Sequence, residues 1–231
     1  MTFKTGYPLA LLGMALLVPA HAQDKAALQQ RLGEVKASLA QNQASLKKYA
    51  WTETTEISLK GEVKKRDQKD CSYGPDGKLV KTAIGEAPPA AAGKKRGLKG
   101  KIVENKIDEM KDYMDRVGSL VRRYVPPNPQ DMQAAFQSGK ANADAASGTL
   151  TFTDYAKPGD KVTVTFDAAS KKLRSFAVST YLDSPADAVT LDARFSSLAD
   201  GTNFMSESVL NATAKKIQIK TTNFGHRKAG S

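Results

Sequence analysis

From Leu150 onward apolar residues fall at every second position, in short runs separated by turn-forming residues. Val162, Val164 and Phe166 alternate with Lys161, Thr163 and Thr165; Phe176, Val178, Thr180 and Leu182 follow. Val189, Leu191, Ala193 and Phe195 stand opposite Thr190, Asp192, Arg194 and Ser196, and Ile217 and Ile219 mark a last strand. A period of two places alternate side chains on opposite faces of a strand. Lys157-Pro158-Gly159-Asp160, Asp167 to Ser170 and Asp200-Gly201 are the connections. They are too short for the crossover that parallel neighbours need, so the strands must pair antiparallel. Each strand has one apolar face, so one face of the sheet is covered or meets a ligand.

The first half supplies the cover. Leu28, Leu32, Val35, Leu39 and Leu46 recur at helical spacing between Ala26 and Tyr49, after Asp24 at an N-cap position. At Tyr49 the composition turns to Thr, aromatic and β-branched residues. In YAWTETTEISLKGEV, Ile57, Leu59 and Val63 fall on one face of an extended segment, with Gly61 as a bulge or bend. A second strand runs toward Tyr73, Gly74-Pro75-Asp76-Gly77 turns the chain, and a third strand ends near Ile84. The Pro-, Ala- and Gly-rich stretch 86–101 reads as an exposed loop holding Lys94, Lys95, Arg96, Lys99 and Lys101. A helix is expected from Val103 to Val125, stopped by Pro126 and Pro127. Asn128-Pro129 opens another helix that Gly139 closes, and 141–148 reads as a small-residue linker. The sum is one α+β domain, an antiparallel sheet covered by helices.

The first 22 residues, MTFKTGYPLALLGMALLVPAHA, have the three parts of a secretory signal: Lys4, an apolar run from Leu9 to Val18, and Ala20-His21-Ala22 as a cleavage site. The run is about half of the ~20 residues needed to span a bilayer, and no later segment is long and apolar enough. The expectation is a periplasmic protein: signal 1–22, domain 23–228 and tail 229–231, with no transmembrane segment after cleavage. Export changes the meaning of the net charge of +11. A basic chain often meets nucleic acid; an exported one meets anionic lipids, cell-wall carboxylates or acidic proteins instead. Cys71 is the only cysteine, so no internal disulfide forms and the core must hold the fold.

Catalytic and metal-binding arrangements are sparse. After cleavage only His226 remains as a histidine, and a triad or a Cys71–His226 dyad would have to use it. His and Cys are too few for a metal centre of their own, and no glycine motif cradles phosphate. No cofactor is expected, and a non-catalytic role is expected over a hydrolase. The apolar face is the better candidate: Trp51, Ile57, Leu59, Phe166, Phe176, Val178 and Phe195 as the lining of a cavity or, equally, as a filled core. Lys94, Lys95, Arg96, Lys99 and Lys101 form a candidate contact to an anionic surface, each basic residue there being worth about 1 kcal/mol.

The order of elements resembles that of the LolA and LolB lipoprotein-carrier family. The resemblance rests on the N-terminal helix running into YAWTETTEISLKG and on the closing LDARFSSLADGTNFMSESVLNATAKKIQIKTTNFG. It implies a curved antiparallel half-barrel around an apolar cavity, roofed by helices, and a lipid or other apolar ligand. The chain also resembles a family of exported bacterial proteins of uncharacterised role that share the Trp-containing first strand and the basic mid-loop. The alternative expectation is an envelope scaffold that holds an acidic partner or anionic surface through that loop.

Overall fold

The computed structural model describes residues 33, 37, 40–85 and 98–229, except 126, 145 and 168. The chain divides into residues 1–34 and 35–231, and the fold is that of the second unit. The signal segment, Lys94, Lys95 and Arg96 lie outside the described residues.

Ten strands form one antiparallel sheet. A helix α1, described over 40–46, leads into β1 (Tyr49–Leu59), β2 (Glu62–Tyr73) and β3 (Leu79–Ala83). Helices α2 (Leu98–Val121) and α3 (Pro129–Gln137) follow. Then come β4 (Ala141–Asp144), β5 (Thr149–Thr153), β6 (Lys161–Phe166), β7 (Leu173–Tyr181), β8 (Ala188–Ser197), β9 (Asn203–Ala212) and β10 (Ile217–Lys228). The spatial order is β3-β2-β1-β10-β9-β8-β7-β6-β5-β4. Two hairpin runs are therefore stitched together by β1 against β10, and β3 and β4 are the outermost of the described strands.

Four expectations shift in detail. Lys60 and Gly61 are not inside a strand; both have positive φ (54° and 85°) and form the two-residue turn between β1 and β2. That geometry follows the right-handed strand twist, and lysine bears the strain of the first position. Val63 thus lies on the second strand of a hairpin and is 54% exposed. Residues 141–144, read as a linker, pair with β5 as the edge strand β4. Helix α2 starts at Leu98, so Lys99 and Lys101 stand on a helix and not in a loop; one internal glycine, Gly100, costs only about 1 kcal/mol. The same helix stops at Val121 rather than Val125, with Arg123 and Tyr124 donating i→i+3 bonds to Leu120 and Val121. This tightened end delivers Tyr124 to the sheet.

The core lies between α2 and one face of the sheet, here the inner face. Val117 and Leu120 of α2 and Tyr124 just beyond its end are buried, as are Phe152, Val162, Val164, Phe176, Val178 and Val189 of the strands. Tyr124 Oη donates to Asp160 Oδ2 at 2.6 Å and lies 2.9 Å from Thr180 Oγ1. Asp160 is 2% exposed and also accepts the backbone N–H groups of Tyr155, Ala156 and Lys157. A buried carboxylate is tolerable only when its lone pairs are filled in this way. Asn128 caps α3 by accepting the Gln130 N–H at 2.9 Å, with Pro129 at the first position.

Candidate functional site: the inner face of the sheet

Strand register decides which side chains share the inner face. Val162, Val178, Leu191, Leu210, Ile219 and Ile57 are successive partners across six strands, and the row ends at Lys65. A parallel row runs Thr180, Val189, Ala212, Ile217 and Leu59, and ends at Glu62. Past Thr180, both rows are apolar as far as β1 and become charged at β2.

Helix α2 covers only part of these rows. Val121 and Tyr124 close on Val178, Thr180, Val189 and Leu191, leaving no space for a water molecule between them. Farther along, Ile57, Leu59, Leu210 and Ile219 are only half-buried. Met110 and Met114 of α2 are half-buried too, and Ile107, on the same helical stripe, is 60% exposed. Two apolar stretches, one on the sheet and one on the helix, are therefore incompletely covered.

The opposite face is polar in the same region. Arg66 pairs with Glu56, Lys220 with Glu207 at 2.7 Å, and Arg227 with Asp70 at 2.6 Å. Such cross-strand pairs suit a solvent-facing surface.

All seven residues expected to line a cavity lie on the inner face, but in separate neighbourhoods. Phe166, Phe176 and Val178 are buried, and Val178 belongs to the closed core beneath α2. Ile57 and Leu59 lie on the half-buried strip. The strands β1 and β7 are four steps apart in the sheet, about 19 Å at ~4.8 Å per step. Trp51 belongs to a third cluster: its Nε1–H donates to Asn223 Oδ1 at 3.0 Å, and its ring stacks 5.7 Å from that of His226. His226 also meets Phe204 at 4.0 Å, and burial pushes its pKa down. It is thus packed between two aromatic rings. Phe195 borders a polar cleft beside α1.

Beside Trp51 the inner face holds charge. Glu53 is 8% exposed and receives both its hydrogen bonds from Lys81 Nζ, at 2.6 and 2.7 Å. Cys71, wholly buried, lies opposite both Trp51 and Lys81 in register, and burial pushes its thiol pKa up. A thiol held protonated is a poor nucleophile. The sequence gives no sign of the Glu53–Lys81 pair, because the two meet only through β2. Among the described residues no group of His, Cys, Asp and Glu is placed to hold a metal. No described helix is long and apolar enough to cross a membrane.

Comparison with known proteins finds no matching family model, curated protein or solved structure. What the fold and the site define is a class: an α+β protein built on one open, ten-stranded antiparallel sheet, with one apolar face that a helix covers in part.

Proposed function

We propose that this is an exported, non-catalytic binding protein for a lipid or another apolar ligand, used in the manner of the LolA-like carriers it resembles in layout. The observation that carries the reading is the pair of apolar rows extending beyond α2 to Ile57 and Leu59. An elongated apolar molecule would lie along the half-buried strip, against Leu210 and Ile219, and reach beneath α2 only by displacing it. Burial of apolar surface at about 25 cal/mol per Å² supplies the affinity. The charged ends of both rows, Lys65 and Glu62, set the side where a headgroup would remain.

Native mass spectrometry of protein purified from the cell envelope should reveal a co-purifying lipid. Leu210→Lys, which places a charge in the strip, should remove that lipid while the protein still unfolds in one cooperative urea transition. Wild-type protein that stays empty after incubation with envelope lipids would refute the proposal.

A second reading is a scaffold that holds its partner by strand addition. It draws on β3, whose residues are all exposed and whose outer edge pairs with no described strand. Extended peptides add to such edges.

A further inference from the structure

We infer that the half-buried apolar strip takes an amphiphile with an anionic oxygen headgroup, a carboxylate or a phosphate, and that Lys69, Thr55 and Thr221 hold that headgroup on the inner face beside the strip. The inference rests on the apolar-ligand reading above and names the polar end of the same ligand.

Register places the groups. The inner-face row next to that of Ile57 runs from Phe176 and Ala193 through Ser208, Thr221 and Thr55 to Asp67. Phe176 and Ala193 are buried, whereas Ser208, Thr221 and Thr55 are half-buried. Residues two apart on a strand share a face, so Thr55 lies beside Ile57, Thr221 beside Ile219 and Ser208 beside Leu210. Three apolar side chains thus adjoin three hydroxyls, row against row. None of these hydroxyls has a hydrogen-bond partner among the described residues.

The charges around this row are paired at every position but one. Lys65 meets Asp67 at 2.6 Å, and Lys81 meets Glu53 at 2.6 Å. Lys69 stands between Glu53 on β1 and the small Ala83 on β3. Glu53 receives both of its hydrogen bonds from Lys81, and no carboxylate among the described residues lies within ion-pair distance of Lys69. Lys69 is the diagonal neighbour of Thr55, since Thr55 is opposite Asp67. Diagonal neighbours are about 7–8 Å apart, within reach of a long side chain, so the Lys69 ammonium extends over the hydroxyl row.

A cation without a counter-ion and a line of open hydroxyls, bordering an apolar strip, define the guest. Hydroxyls and ammonium both donate to an oxygen acceptor, and the charge-assisted bond from lysine favours a negative one. A cationic headgroup finds no free anion there, because Asp67 and Glu53 are already paired. The tail lies over Ile57, Ile219 and Leu210, and the head lies one row along the strands, over Thr55 and Thr221.

Calorimetric titration of the folded protein with single-chain amphiphiles, kept below micelle formation, tests this. Laurate and dodecyl phosphate should bind about tenfold or more tightly than dodecanol and dodecyltrimethylammonium, which carry the same chain. The tighter of the first two identifies the headgroup as carboxylate or phosphate. Lys69→Met should weaken laurate by a similar factor and leave dodecanol unchanged. Thr55→Val combined with Thr221→Val, which keeps the side-chain shape and removes the hydroxyls, should weaken laurate but not dodecanol. Equal binding of laurate, dodecanol and the ammonium, with Lys69→Met without effect, would overturn the inference while the apolar-ligand reading stands. Wild-type protein that binds none of the four would overturn both.

Discussion

Aspartates at turns do much of the residue-scale work in this protein. Asp144, Asp154, Asp167 and Asp200 all have their pKa lowered, each by hydrogen bonds that include backbone N–H groups of its own turn. Asp200 is the furthest displaced, to about 2, through the Tyr49 hydroxyl and then the Thr202 N–H. An unfolded aspartate titrates near ~3.9. The folded group binds its proton less readily, so its stabilising effect is complete above about pH 4 and is lost as pH falls through 2. Asp200→Asn should then lower stability relative to wild type at neutral pH, with the gap narrowing between pH 4 and pH 2. Urea unfolding followed by Trp51 fluorescence across that range measures it. A gap that stays constant with pH would mean that the carboxylate's charge contributes nothing.

At the scale of elements, glycines show where the chain has no alternative. Gly148, before β5, has φ 67°, and a Cβ on it would overlap the Phe166 carbonyl oxygen. Gly139, after α3, has φ 73° with open space around it. An alanine at 139 should cost about 1–2 kcal/mol, the left-handed penalty alone. An alanine at 148 should cost about twice that or more, because the β5–β6 hairpin must open to admit it. Chemical denaturation of the two variants separates the terms; equal losses would show that the hairpin yields freely. The strands themselves were legible from their alternation: β6 and β7 bury the residues the pattern nominates within them, whereas β8 buries Val189 and Ala193 and leaves Leu191 and Phe195 half-buried. The β1–β2 turn was not, since Lys60-Gly61 lacks the Asn or Asp that normally marks such a turn. Nor was β4, four short residues whose only structural signal is the partner strand. The inner-face residues were legible as a set, but period two says which face a side chain occupies, not which neighbourhood. The polar cleft was invisible because its walls come from a helix and two distant turns.

For the molecule as a whole, the sheet has one long-range seam, and it lies between the first strand and the last. Every other pairing joins strands adjacent in sequence. The seam is extensive: β1 pairs with β10 from Tyr49–Lys228 to Leu59–Ile217, and Trp51 and Asn223 are hydrogen-bonded across it. It also completes both apolar rows, since Ile57 and Leu59 lie beside Ile219 and Ile217. Local hairpins can form early, whereas this contact must close almost the full length of the domain first. Cutting the chain between residues 90 and 91 breaks no described strand pairing, so fragments 23–90 and 91–231 should reconstitute the sheet when co-expressed. Alone, the larger fragment would expose the β10 edge with its isoleucines, a surface prone to aggregation. Co-purification of the fragments, with one cooperative unfolding transition, is the expected result. Substituting Ile219 by lysine in the larger fragment should weaken the association, because it places a charge in the shared row opposite Ile57. Two fragments that each fold and unfold independently would mean that the seam joins preformed halves, and that the continuous apolar strip is not a condition of folding.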